Sequence, residues 1–96
     1  MASKDETDNT VKEPTIDRIP NSLNGYLIVG FFRKSDTRAV IIAHDPDRII
    51  PGYRWVVGWV SGHSLKYGEW FNNHYTGDLH EAWNMWSTLT HPSTII

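Results

Sequence analysis

Apolar positions along this 96-residue chain fall into clusters of strand length, followed near the end by one cluster at helical spacing. Tyr26 to Arg33 (YLIVGFFR) is an apolar run too short for an ordinary buried helix and rich in sheet-favouring residues. Lys34, Ser35 and Asp36 make a polar break, and Arg38 to His44 (RAVIIAH) reads as a second strand. The short connection predicts an antiparallel hairpin. Asp45-Pro46-Asp47 stops that strand, and Pro51-Gly52 marks a further turn. Tyr53 to Val60 (YRWVVGWV) alternates as a third strand, with Tyr53, Trp55, Val57 and Trp59 on one side. Ser61-Gly62-His63-Ser64 is turn-like, and a weaker fourth strand is centred on Glu69 to Tyr75, interrupted by Gly68 before it and Asn72-Asn73 within it.

Beyond Gly77 the period changes. Asp78 is placed to cap a helix, with Glu81 three positions on as the second half of a capping box. Leu79, Ala82, Trp83, Trp86 and Leu89 then follow the i, i+3, i+4, i+7 spacing of a buried helical face. Pro92 disfavours helical geometry at His91, so the helix should end near Thr90. The expected fold is α+β: a three- to four-stranded antiparallel sheet followed by one C-terminal amphipathic helix, in the order β-β-β-(β)-α.

One helix shelters one face of a small sheet, and the other face should then be polar. Strict alternation instead puts Tyr26, Ile28 and Phe32 opposite Leu27, Val29 and Phe31. Val40 and Ile42 likewise oppose Ala39, Ile41 and Ala43, and the tryptophans of the third strand oppose valines. Leaving three or four such side chains in water costs a few kcal/mol at ~25 cal/mol per Å², comparable with the whole stability of a small domain. A homodimer is the expected cover, since closed two-fold pairs are the commonest soluble assemblies. A heterologous partner, a ligand or the chain's own N-terminal segment are the alternatives.

Composition sharpens this picture at the N-terminus. All 12 aromatic residues lie beyond Pro20, whereas residues 1–20 carry three basic and five acidic side chains. Residues 1–20 therefore read as a polar, acidic, disordered tail, with docking of Ile16 and Ile19 as the alternative. Residues 21–96 read as a single small domain, electrically balanced with six basic and six acidic residues. The chain has no cysteine, which excludes disulfides, thiolate metal sites and a thiol nucleophile. No run approaches the roughly 18 apolar residues of a membrane span, and no signal-peptide pattern opens the chain. The expected setting is the cytosol, with no membrane partner.

Candidate chemistry is sparse. His44, His63, His74, His80 and His91 show no ligand spacing, so no metal is expected, although His74 and His80 flank a turn with Asp78 and Glu81 nearby. His44-Asp45-Pro46-Asp47 is explained by loop-forming residues, and Ser61 with His63 lacks a nucleophile-elbow context. Phosphate-binding glycine motifs are absent, so neither a nucleotide cofactor nor catalysis is expected. The residue types that anchor protein interfaces concentrate in Arg54, Trp55, Trp59, Tyr67, Trp70 and Tyr75. The expected function is non-enzymatic protein binding, as an adaptor or modulator acting through an aromatic sheet face. The alternatives are a nucleic-acid binder stacking bases on Tyr53, Trp55 and Trp59 beside arginines and lysines, and a small-ligand domain with a pocket lined by Trp83 and Trp86. Balanced charge counts against nucleic acid, which calls for a basic footprint.

Overall fold

The computed structural model describes residues 13–91. Its elements are β1 (Ser22–Leu23), β2 (Tyr26–Arg33), β3 (Arg38–His44), a 3-10 turn (Pro51–Tyr53), β4 (Trp55–Ser61), a short α1 (Gly62–Lys66), β5 (Phe71–Thr76) and α2 (Leu79–Thr90). The strands form one antiparallel sheet in the order β1-β2-β3-β4-β5. The α+β class and the C-terminal helix are as expected, but the sheet has five strands rather than three or four.

The extra strand is built by a tight turn. Leu23 faces Tyr26 across Asn24 and Gly25, whose φ values are 54° and 83°. Two successive positive φ angles define the hairpin turn that Asn-Gly favours. Ser61-Gly62-His63-Ser64, expected as a turn, starts α1 instead. Ser61 Oγ accepts from Ser64 N–H at 3.0 Å, and Ser64 Oγ accepts from Ser61 N–H at 2.8 Å. This reciprocal pair satisfies donors that a helix start leaves open. At α2, Asp78 accepts from His80 N–H at 3.1 Å. Glu81 does not complete the expected box; its carboxylate accepts from the Thr76 hydroxyl at 2.7 Å. His91 is extended, with φ −111°.

β3 is the axis of the core, with Ala39, Val40, Ile41, Ile42 and Ala43 all fully buried. On one face Val40, Ile42 and Val57 lie beneath Ala82, Met85, Trp86 and Leu89 of α2. On the other, Ala39, Ile41, Ala43, Val56 and Val60 pack with Tyr26, Leu23 and Ile16. Leu65 of α1, Trp70 and Tyr75 border that second cluster.

Ile16 belongs to the segment read from sequence as tail. Residues 1–12 of that segment lie outside the described residues; residues 13–20 lie against the sheet. Ile16 retains 3% of its exposure. Its N–H donates to Asp36 O at 2.8 Å, and Arg33 donates to Ile16 O at 2.6 Å and to Asp17 O at 3.1 Å. Glu13 pairs with Arg38 at 3.1 Å. Gly62 is needed here, because a Cβ at that position would run into the Pro14 carbonyl. The arrangement is the docked alternative: both sheet faces are covered at their centre by the chain itself. Aromatic-free composition did not prevent docking because one buried isoleucine and several backbone bonds suffice to seat a short segment.

Ile16→Ala is expected to lower unfolding free energy by about 2 kcal/mol or more, read from urea denaturation, and Gly62→Ala to destabilise as well. The Ser61 hydroxyl, and then the Arg38 guanidinium, hold the Glu13 carboxyl below its ordinary value of 4.5. A lowered folded value means that the contribution is complete above pH 4.5 and disappears as pH falls through the folded value. Thermal melts across acidic pH should therefore show Glu13→Gln less stable than the parent near neutrality and converging with it in acid.

Candidate functional site

α2 sits chiefly over β3 and β4 and reaches the outer strands only at single points, through Trp86 over Gly30 of β2 and Glu81 beside Thr76 and His74 of β5. A helix is about 10 Å across, and strands stand about 4.8 Å apart. Set over β3 and β4, the helix leaves β2 and β5 at the margins. β5 (FNNHYT) meets water with Asn72, Asn73 and His74. β2 does not: Leu27, Val29, Phe31 and Phe32 are 57%, 56%, 49% and 43% exposed.

A bulge arranges these side chains. Ile28 pairs with Ala43 and Gly30 with Ile42, so Val29 has no residue opposite it. The extra residue reverses the alternation expected from sequence beyond that point. Phe31 joins Ile28 on the face that carries Ile41 and Ile16, and Phe32 joins Leu27 on the helix face, beside Val40. Gly30 leaves room on that face for the Trp86 ring; a Cβ there would lie 3.1 Å from Ile42 and 3.6 Å from Trp86. Trp86 donates to Val40 O at 3.3 Å, and Trp83 packs against it at 5.2 Å between ring centres. Trp83 and Leu79, expected in the core, stay half exposed because Ala82, Met85, Trp86 and Leu89 take the centre of the helix–sheet seam. Lys34 closes the end of the surface, donating to Leu89 O at 2.8 Å.

The outer edge of β2 is also open. β1 pairs only with Tyr26 and Leu27, and the last backbone bond on that side runs from Ile28 N–H to Asn21 O at 2.8 Å. Pro20 comes next in sequence, and no residue from 13 to 20 pairs with β2. Among the described residues, no backbone bond is made to the outer edge from Val29 to Arg33.

The residues expected to form an interface are not gathered. Arg54 is half-buried and donates to Arg48 O at 2.9 Å. Trp55 stacks on His44 at 3.9 Å, and Trp55 and Trp59 both lie on the helix face. Tyr67 projects into water just after α1. Trp70 donates to the Tyr75 hydroxyl at 3.3 Å, and both rings pack on Tyr26 on the other face. The stacking set proposed for nucleic acid is divided in the same way: Tyr53 stacks on Tyr75, away from Trp55 and Trp59. Arg33, Lys34, Arg38, Arg48 and Arg54 each engage a carbonyl or carboxylate of the chain itself. The one signal in the sequence that marks β2 is Gly30, which within an otherwise large-residue run points to close packing or a bulge.

Polar groups elsewhere serve the fold. Asp45 accepts from Asp47 N–H at 3.1 Å and pairs with Arg48 at 3.1 Å, shaping the loop after β3. His74 stands 3.7 Å from Glu81. Among the described residues no three His, Asp or Glu side chains converge as metal ligands, and no helix is long and apolar enough to cross a membrane. Tyr26 is buried beneath Arg48, 4.3 Å from its ring centre, and donates to Tyr53 O. Burial raises the pKa of its hydroxyl above 10.0. A groove of about 590 Å³ opens between residues 14–21 and α1, with Ile19 and Leu65 on its walls and Arg18 and Lys66 at its rim. No protein-family model, curated protein or solved structure matches this chain.

Tyr26→Phe keeps the ring and deletes the bond to Tyr53 O. It is expected to cost about 1 kcal/mol in denaturant unfolding. In the parent, ultraviolet titration should show a tyrosine component that ionises above the ordinary value of 10.0, and this component should be missing from the variant.

Proposed function

We propose that this chain is a non-enzymatic protein-recognition domain, an adaptor or modulator, whose working surface is the margin formed by β2 and the adjoining flank of α2. One observation carries this reading: a strand with a free hydrogen-bonding edge holds four large apolar side chains half out of water. Loose surface hydrophobes are ordinary, but a contiguous apolar stretch on an open edge is a docking feature and an aggregation hazard unless something occupies it. Backbone groups along the edge offer affinity to an extended partner strand, and Phe31 and Phe32 offer anchors on opposite faces. Of the groups that invite a catalytic reading, His44 is engaged in ring stacking, Asp45 in loop bonds and Ser61 in a helix cap, which favours recognition over catalysis.

A photo-crosslinking residue, p-benzoylphenylalanine, placed at Val29 tests the surface, with the same residue at exposed Tyr67 as control. Irradiation in extracts of the source cell is expected to give discrete protein adducts from position 29 and none of the same mass from position 67. Failure to obtain adducts from position 29 would count against the reading.

A further inference from the structure

We infer that the occupant of the β2 margin is a second copy of this chain, paired strand to strand and antiparallel across a two-fold axis at Phe31. The inference rests on the recognition reading above and names the partner for that same surface.

The register follows from the faces. Facing residues of an antiparallel pair share a side of the sheet. An axis at Phe31 sets Phe31 against its counterpart on the face that carries Ile16. It sets Phe32 of each copy against Gly30 of the other on the helix face. Gly30 is the one position of the β2 edge with no side chain, and Trp86 already lies over it. A Phe32 ring arriving there meets a glycine floor and an indole wall. The bulged residue Val29 then lies opposite Arg33, at the end of the paired stretch, where a ladder tolerates irregularity.

Area and charge agree with this choice. Leu27, Val29, Phe31, Phe32, Leu79 and Trp83 are each about half exposed. Aromatic side chains carry about 150–250 Å² each and the aliphatic ones less, so these six offer at most about 500 Å² per copy, or about 1,000 Å² for a pair before the backbone edges are added. That reaches the lower bound of about 1,000–1,200 Å² for a specific interface. Among the described residues, the edge carries no charged side chain before Arg33. The two Arg33 side chains begin four residues apart along the paired strands, about 13 Å at ~3.3 Å per residue and beyond the screening length of about 8 Å in physiological salt. Nothing in the pair therefore sets like charges face to face.

The absence of native cysteine makes the register directly testable. Facing Cα atoms in an antiparallel pair stand about 4.5–5.5 Å apart, within the span of about 4.4–6.8 Å that a disulfide bridges. Full-length Phe31→Cys is expected to form a covalent dimer under mild oxidation. Val29→Cys, whose two sulfurs would start about 13 Å apart along the strands, is expected to stay monomeric under non-reducing electrophoresis. In light scattering, the parent should have twice the 11.1 kDa chain mass at micromolar concentration. Phe31→Lys should halve that mass with unchanged circular dichroism, and Tyr67→Ser should leave it doubled. A monomeric parent, or Val29→Cys crosslinking in preference to Phe31→Cys, would overturn the inference. Adducts from position 29 to other proteins, together with a monomeric parent, would overturn the second copy while sustaining the recognition surface.

Discussion

The structure depends on a strand that is apolar on both sides. Every residue from Ala39 to Ala43 is out of water, and a strand in that state needs a cover above and below. α2 is one cover. The other is made of small pieces: Ile16 from the segment before β1, Leu65 from α1, and the rings of Tyr26, Trp70 and Tyr75. Their attachments are correspondingly polar. Arg33 holds Ile16 and Asp17 through carbonyls, Arg38 holds Glu13, and Gly62 lets Pro14 approach its backbone. A regular element supplies its own backbone bonds, whereas an irregular segment must find them on the sheet. This explains why arginines at the ends of β2 and β3 point toward the docked segment.

Covering the centre twice leaves the unmet demand at the margin. The apolar excess seen in the sequence is real, but it is not a bare face. One helix of ordinary width shelters two strands, and the remaining strands must either be polar or find company. β5 takes the first course with Asn72, Asn73 and His74. β2 carries Leu27, Val29, Phe31 and Phe32. The contrast between two margins of the same sheet is a stronger reason for assigning β2 to recognition than its hydrophobicity taken alone.

Much of the fold was legible because it rests on local rules. The β2–β3 hairpin, the Asp78 cap and the stop before Pro92 each follow from a few neighbouring residues. The misreadings have physical causes of three kinds. Strict alternation in β2 takes no account of the bulge at Val29, which exchanges the faces of Phe31 and Phe32. Asn24-Gly25 carries a hairpin signal, but two-residue β1 offers no apolar run to announce itself. Ile16 has no periodic neighbours, so its burial depends on tertiary bonds from Arg33 and Asp36, distant in sequence. The candidate site suffered from a related limit. Arg54, Trp55, Trp59, Tyr67, Trp70 and Tyr75 share only a residue type suited to interfaces, and type does not say which face or which edge a side chain occupies.

Whether β2 has a free edge is decided by the residues just before it. Asn21 still bonds Ile28, so β1 has begun to run beside β2 and would cover the rest of it if the ladder continued. No residue from 13 to 20 pairs with β2, and from Pro20 backward the chain leaves the ladder. It crosses to the face where Ile16 is buried. The same departure thus has two consequences: it supplies the second cover of the core and it strips β2 of a neighbour from Val29 onward. Closing the edge by extending β1 would draw residues 16–20 away from the core and uncover Ala39, Ile41 and Ala43. Within one copy of this chain, a covered core and a covered β2 edge compete for the same short segment, and the structure gives that segment to the core. The edge from Val29 to Arg33 is then left open.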